Sequence, residues 1–167
     1  MQHIRANPRN APTVGGATDL ELFLFGGARV DLSAARGALQ DMQENRCFYC
    51  GSAMKQDPHV DHFIPWSRYP RDLAQNFVLA HGACNLDKGD MLGAPAHLAH
   101  WVKRNRESGV DLAARLSPAG FLDDQPAALQ VARWAYGQAE ATSAQLWVSL
   151  KYTVNADRRC LEILGGE

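Results

Sequence analysis

The sequence has few cysteines, almost no net charge and no long apolar run. Four cysteines and a net charge of −1 occur among 167 residues, and no stretch approaches the roughly 20 apolar residues that a membrane helix needs. No internal repeat or low-complexity tract is present, and no apolar run follows the first charged residues, as it would in a secretory signal. These absences argue against a membrane protein, a solenoid and a disulfide-stapled secreted module, and they predict a cytoplasmic protein.

The composition that remains is that of an ordinary folded domain. Hydrophobic residues make up 46% and charged residues 21% of the chain, which excludes wholesale disorder. The near-zero net charge is unevenly distributed. Basic residues outnumber acidic ones by three between Arg46 and Arg106, whereas the rest of the chain carries a net charge of −4. A basic middle segment is a mild indication of an acidic partner such as a phosphate backbone.

Composition and hydrophobic periodicity predict a flexible N-terminal tail over 1–18 and a strand and helix extension over 19–45. A core over 46–106, and a C-terminal helix and strand extension packed on it over 107–167, are implied by the resemblance that the motifs of this core carry. Strands are expected at 19–25, 59–64, 76–81 and 147–154. Helices are expected at 32–45, from Ala83, from Pro95 and at 124–141. The sequence therefore predicts an α+β protein.

Four residues of the core segment have the spacing of a structural zinc site. Cys47 and Cys50 form a Cys-x2-Cys pair, and His81 and Cys84 repeat this spacing with histidine in the first position. Three cysteines and one histidine are a common tetrahedral ligand set for Zn²⁺. We therefore predict that these four residues bind a structural zinc ion, and that Cys160, far from both pairs, is an inert thiol.

Further motifs follow in a fixed order, and together with the zinc pairs they resemble the HNH endonuclease family. The matching segments are Cys47–Gly51, Val60–Ser67 and Asn76–Gly89, and the resemblance covers residues 46–106. It implies a ββα-metal core, in which a two-stranded ribbon leads into a helix around one divalent cation, stapled by the structural zinc and accompanied by flanking helices and a short strand or two. It also implies a metal-dependent endonuclease that hydrolyses phosphodiester bonds in DNA and leaves 5′-phosphate and 3′-hydroxyl ends.

The family pattern, carried over to the matching positions, assigns roles to four polar residues. It makes His62 the general base, Asp61 and Asn85 the ligands of the catalytic cation, and Asn76 the residue that fastens the loop between the strands. Asn85 stands where the family name has its third histidine, which makes this an HNN-type variant. Amide and carboxylate oxygens favour Mg²⁺ or Mn²⁺ over softer metals in that position. A second interpretation of Asn85 is a helix cap.

The residue types also suit this chemistry by themselves. Hydrolysis of a phosphodiester needs a group that takes a proton from the attacking water, which histidine does at neutral pH, and a cation that balances the developing negative charge. Neighbours on a regular strand point to opposite faces, so Asp61 and His62 reach one cation only if the strand bends or ends there. If the alternation holds, His59 shares a face with Asp61 and is the competing base or ligand.

Three basic residues are candidate contacts to nucleic acid. Lys88 lies shortly after Asn85, and Arg68 and Arg71 lie in the loop between the strands. For each of them the alternative is an ordinary solvated position. The predicted partner is DNA, with RNA also compatible and no membrane involved. The competing function is a zinc-stapled module that binds nucleic acid without cleaving it.

Overall fold

The structure, a computed structural model, describes residues 32–56 and 58–165. The N-terminal tail and the strand expected at 19–25 lie outside these residues. The described helices are α1 (Ser33–Met42), α2 (Gly82–Lys88), α3 (Pro95–Leu116), α4 (Gln125–Ala141) and α5 (Arg159–Gly165). The described strands, paired as two separate two-stranded sheets, are β1 (Pro58–His62), β2 (Phe77–His81), β3 (Gln145–Ser149) and β4 (Tyr152–Asn155). Within the described ranges no helix is long and apolar enough to cross a membrane.

The first sheet and the helix after it form a ββα unit, as the sequence predicts. β1 and β2 pair antiparallel, with Asp61 opposite Val78 and His62 opposite Phe77. α2 begins at Gly82, directly after the last residue of β2, and packs against the ribbon. The predicted mixture of helices and small sheets around a Cys/His cluster is therefore confirmed.

The long helix α3 supplies much of the core beside this unit. Pro95 stands at its start, where the missing N–H of proline would have had no partner within the helix. Leu98, Trp101 and Leu112 recur at helical spacing and have no exposed surface. The Trp101 ring stacks on Phe63, the first residue after β1, with the ring centroids 5.1 Å apart. One apolar face of α3 thereby fixes the chain where it leaves β1.

Two predicted elements differ from the observed ones. α1 ends at Met42 rather than near Asn45, because Glu44 and Asn45 adopt left-handed φ angles of 50° and 53°. The strand expected at 147–154 was wrong, since this stretch forms the hairpin of β3 and β4, with Lys151 in the turn at a φ of 60°. The turn contains neither glycine nor proline, so the alternating pattern continues through it in the sequence.

The β3–β4 hairpin is attached to the ββα unit through Asp87 on α2. The Asp87 carboxylate accepts hydrogen bonds from Trp147 Nε1 at 2.7 Å and from the main-chain N of Lys151 at 3.0 Å. The hydrogen bond from Trp147, followed by the one from Lys151, lowers the pKa of Asp87 below its ordinary value. Trp147 and Lys151, from the C-terminal part of the chain, therefore contact α2.

Candidate active site and metal centre

The four predicted zinc ligands converge on one point. Cys47 and Cys50 lie in the turn before β1, His81 is the last residue of β2, and Cys84 lies in the first turn of α2. Their ligand atoms are all within 4.8 Å of one another, a spread that suits one tetrahedral ion. Across residues 32–56 and 58–165, no other group of three or more His, Cys, Asp or Glu residues could hold a metal ion.

The chemistry of the donor set also fits zinc. His81 Nε2 lies 3.3 Å from the main-chain O of Ala53, and since a carbonyl only accepts, this nitrogen carries the proton. Nδ1, which is 3.3 Å from Cys50 Sγ, is left as the ligand atom. Burial, followed by the neighbouring thiols of Cys47 and Cys50, raises the pKa of Cys84 to about 12. Thiols this close cannot all ionise without a cation, and Zn²⁺ supplies that charge.

Asp61 lies on the side of β1 that faces α2, and it has two buried partners. Tyr49 donates its hydroxyl to Asp61 Oδ2 at 2.5 Å, and Lys88 Nζ lies 3.0 Å from the same oxygen. Burial, followed by the Asp61 carboxylate, raises the pKa of Tyr49 well above its ordinary value, so the phenol keeps its proton and remains a donor. Both contacts use Oδ2, which leaves Oδ1 for a further partner.

Lys88 is enclosed by the protein. Its side chain has no exposed surface, and besides pairing with Asp61 its Nζ donates to the main-chain O of His62 at 3.1 Å. A buried ammonium is costly unless it is paired, so the Asp61 carboxylate stabilises Lys88 in this position. In the structure Lys88, a predicted phosphate contact, is therefore paired with Asp61. Direct contact with a phosphate stays a prediction, and it would require Lys88 to leave the pair.

His62 is the last residue of β1, and its imidazole contacts the loop that follows. Nε2 lies 2.8 Å from Asp72 Oδ1. The ring also meets Trp66 and Phe77 edge-on, with centroid distances of 5.2 and 5.1 Å. Nothing in the sequence marks Asp72, because an acid in a polar loop has no diagnostic spacing. The fold brings it to His62 by returning the loop to the end of β1.

The alternation of side chains holds along β1. The strand keeps its regular pairing up to His62 and ends there. Asp61 contacts α2, whereas His62 contacts the loop on the other side. His59 shares the face of Asp61: its ring lies against Gly82 at the start of α2, where a Cβ would come within 3.2 Å of His59 Cε1 and Nε2. The strand therefore does not bend before His62, and Asp61 and His62 meet different partners. His59 stays the competing base or ligand, as expected where the alternation holds.

Asn76 joins the end of the loop to its beginning. Its Oδ1 accepts a hydrogen bond from Ile64 N at 2.8 Å, and its Nδ2 donates to Ile64 O at 2.9 Å. The main-chain O of Asn76 also accepts from Phe63 N at 2.8 Å. These bonds are buried and close the loop directly after His62, which is the arrangement that the predicted role of Asn76 requires.

Asn85 lies within α2, one helical turn before Lys88 and hence on the same side of the helix. Its interpretation as a helix cap is wrong, because His81 occupies the N-cap position. Together with Asp61, whose Oδ1 is not taken by Tyr49 or Lys88, it offers an amide and a carboxylate oxygen. These are donors that Mg²⁺ and Mn²⁺ prefer, so the residue types fit the catalytic cation that the resemblance implies.

Arg68 and Arg71 lie in the same loop as Asp72, and both are half-buried. The Arg71 guanidinium is near the Tyr69 hydroxyl, with Nη1 3.3 Å from the oxygen. Their contact with nucleic acid stays a prediction.

Comparison with known proteins bears on the segment that holds both sites. The family model described as HNH endonuclease matches residues 47–91, a range that contains every predicted zinc ligand and every predicted catalytic residue. No curated protein matches the chain. The resemblance seen in the sequence is confirmed for this segment: residues 47–91 form an HNH domain, with a Cys/His cluster that fits a zinc knuckle.

Proposed function

We propose that the protein is a metal-dependent endonuclease that hydrolyses phosphodiester bonds in DNA. The HNH domain points to a nuclease or a nucleic-acid-binding protein. The observation that most favours cleavage is that β1 ends at His62, because Asp61 and His62, which point to opposite faces, can serve one cation only where the strand ends. Asp61 faces the helix that carries Asn85, and His62 faces the loop that Asn76 closes.

His62 is the general base in this proposal. Its Nε2 is taken by Asp72, so Nδ1 is the nitrogen that accepts a proton from water. The water oxygen attacks phosphorus as that proton leaves, and the bond from phosphorus to the 3′ oxygen breaks. The leaving oxygen takes a proton from solvent, which gives 5′-phosphate and 3′-hydroxyl ends.

Asp61 and Asn85 are the residues that would hold Mg²⁺ or Mn²⁺. When bound, such a cation supplies positive charge that stabilises the scissile phosphate and the leaving oxygen. Asp61 keeps Oδ1 available while its Oδ2 stays with Tyr49 and Lys88. The paired ammonium of Lys88 also holds the Asp61 carboxylate in place.

Nicking of supercoiled plasmid DNA by the zinc-loaded protein tests the proposal. We expect nicked product with Mg²⁺ or Mn²⁺ and none with EDTA, since the cation balances the charge that develops on the phosphate. The same assay on an RNA of matched sequence decides between the two nucleic acids. Absence of cleavage with every divalent cation would contradict a nuclease.

His62 and His59 give a matched pair of variants, because they lie on opposite faces of one strand. His62→Ala removes the base, and we expect the cleavage rate to fall by about 10²- to 10⁴-fold with the zinc content unchanged. His59→Ala removes the histidine beside α2 and should cleave at close to the wild-type rate. If His59→Ala is the inactive variant, the base has been assigned to the wrong residue.

The second candidate is a zinc-stapled module that binds nucleic acid without cleaving it. The buried pair of Asp61 and Lys88 favours it, because this carboxylate has its charge balanced without a divalent cation. Binding that needs no divalent cation and produces no nicks would support this module. Under either candidate, affinity should fall steeply with salt, since contacts to phosphate release counterions.

Both candidate functions imply the same nucleic-acid partner and the same cellular location. The predicted contacts Arg68 and Arg71 suit a phosphate backbone, with DNA as the proposed partner, whereas Lys88 would first have to leave Asp61. The zinc ligands Cys47, Cys50 and Cys84 must stay reduced to bind the ion, which supports a cytoplasmic location.

A further inference from the structure

Asp72 belongs to no motif in the sequence, yet it holds the histidine that the proposed function uses as base. Its Oδ1 lies 2.8 Å from His62 Nε2, and only 14% of the Asp72 side chain and 11% of the His62 side chain are exposed. We infer that Asp72 is a positioning residue that fixes the orientation and the tautomer of His62. The inference rests on the proposed function for the role of His62 as base.

The hydrogen bond determines which ring nitrogen carries the proton. An ionised carboxylate only accepts hydrogen bonds, so Nε2 is protonated and Nδ1 keeps its lone pair. In a neutral imidazole without such a partner, either nitrogen can carry the proton. Trp66 and Phe77 limit the space around the ring but offer it no charged acceptor. Asp72 is therefore what makes Nδ1 the accepting atom.

The main chain around Asp72 is held by a segment from the C-terminal part of the protein. Leu122 N donates to Asp72 O at 3.2 Å, and Leu122 O accepts from Ala74 N at 2.8 Å. Leu73, between them, forms a parallel bridge with Leu122 and is 1% exposed. The Asp72 carboxylate thus stands on a fixed backbone, as a group that must orient another group requires.

Gln75 fastens the same loop a second time. Its Nε2 donates to Asp123 Oδ1 at 2.6 Å, and its side chain has no exposed surface. Its main-chain O accepts three hydrogen bonds from α3, donated by Trp101 Nε1 at 2.9 Å, Arg104 Nη2 at 2.8 Å and Asn105 Nδ2 at 3.1 Å. The loop that carries Asp72 is therefore anchored from both α3 and the segment after it.

Asp72→Asn tests the inference, because it keeps the size of the side chain and removes its charge. We expect kcat for plasmid nicking to fall by about 10- to 100-fold, by analogy with the loss caused by removing the carboxylate partner of a metal-bound histidine. KM and the melting temperature should stay close to wild type, which separates positioning from a structural role. Full kcat in Asp72→Asn would overturn the inference.

Asp111→Asn is the matched control for this variant. It removes the same charge from an exposed carboxylate that pairs with Arg115 on α3, 2.9 Å from its Nε. This variant should nick DNA at the wild-type rate.

A measurement without substrate separates the inference from the proposed function. The six histidines of the chain are labelled with ¹⁵N, and the His62 signals are assigned by their loss in His62→Gln. At a pH where the imidazole is neutral, we expect His62 to be protonated on Nε2 in the wild type and to show mixed tautomers in Asp72→Asn. Protonation on Nδ1 in the wild type, or no change in Asp72→Asn, overturns the inference. A wild type that cuts no DNA but shows these tautomers refutes the nuclease and upholds the positioning of His62.

Discussion

The Cys/His cluster and the Asp61–His62 pair lie on one ββα unit, but they are specified in different ways. The zinc ligands come from two short motifs whose spacing already places each pair of donors together. The partners of Asp61 and His62 come from separate stretches of chain, namely Tyr49, Lys88 and Asp72. A metal site of this kind can be predicted from spacing, whereas the surroundings of Asp61 and His62 depend on the complete fold.

The two sites also differ in how their charges are balanced. Burial and neighbouring thiols raise the pKa of Cys84 to about 12, so this thiol ionises at neutral pH only with a cation bound. Asp61 has Lys88 and Tyr49 as partners within the protein itself. The zinc site should therefore depend on its ion for folding, whereas the Asp61–Lys88 pair needs no bound cation of its own to balance its charge.

Removing zinc should have the largest effect. Structural zinc sites contribute binding free energies on the order of 10 kcal/mol, so we expect chelation, or Cys84→Ser, to unfold the ribbon and α2. Thermal unfolding followed by circular dichroism measures this loss. Cys160→Ala, which removes a buried thiol outside the cluster, should keep its zinc and serves as control. Equal stability with and without chelator would show that the zinc site does not need its ion for folding.

Lys88→Met should have the next largest effect, because it leaves the buried Asp61 carboxylate without its counter-ion. Breaking a buried pair in this way costs about 3–5 kcal/mol of the free energy of unfolding, measured by urea denaturation. Lys103→Met is the matched control, since that lysine is 71% exposed and lies 4.0 Å from Glu107, and it should leave stability unchanged. Wild-type stability in Lys88→Met would show that the Asp61 charge is balanced by something else.

Asn76→Ala should cost less, because it removes two neutral hydrogen bonds. The Ile64 N–H and C=O then lose their partners in a buried place, at about 1–3 kcal/mol for a group left unsatisfied. Urea denaturation measures this loss of stability, and the nicking rate should also fall, since the loop begins directly after His62. Normal activity in Asn76→Ala would show that closing this loop is not needed for cleavage.

Asn85→Ala, on α2, should leave the free energy of unfolding near the wild-type value while reducing cation-dependent cleavage.

Leu122→Pro should have the smallest effect on stability and still reduce activity. Proline removes the N–H that donates to Asp72 O, a change worth about 1 kcal/mol. Leu122→Ala keeps that N–H and changes only a side chain that is 47% exposed. We expect kcat for nicking to fall in the proline variant and to stay unchanged in the alanine variant. Equal kcat in both would show that the C-terminal segment has no influence on His62.

The features that could be predicted from sequence are those that local spacing specifies. The zinc cluster, the ribbon with its following helix and the start of α3 at Pro95 follow from motif order, periodicity and proline geometry. The burial of Lys88 could not be predicted, because its spacing suits a surface contact equally well. The contact of Asp72 with His62 could not be predicted either, because only the folded loop brings the two side chains together. The β3–β4 turn was missed because Lys151 adopts a left-handed φ without any glycine nearby in the turn.

The shortness of α2 has a consequence for how the two sites form. Seven residues are too few for a helix to persist alone, because isolated helices below about 12–15 residues are marginal in water. Cys84 near its first turn joins the zinc cluster, and Lys88 at its last residue joins Asp61. Each contact therefore helps to keep the other end of α2 helical. Zinc binding and the Asp61–Lys88 pair should accordingly stabilise each other through α2, so that loss of either one weakens the other.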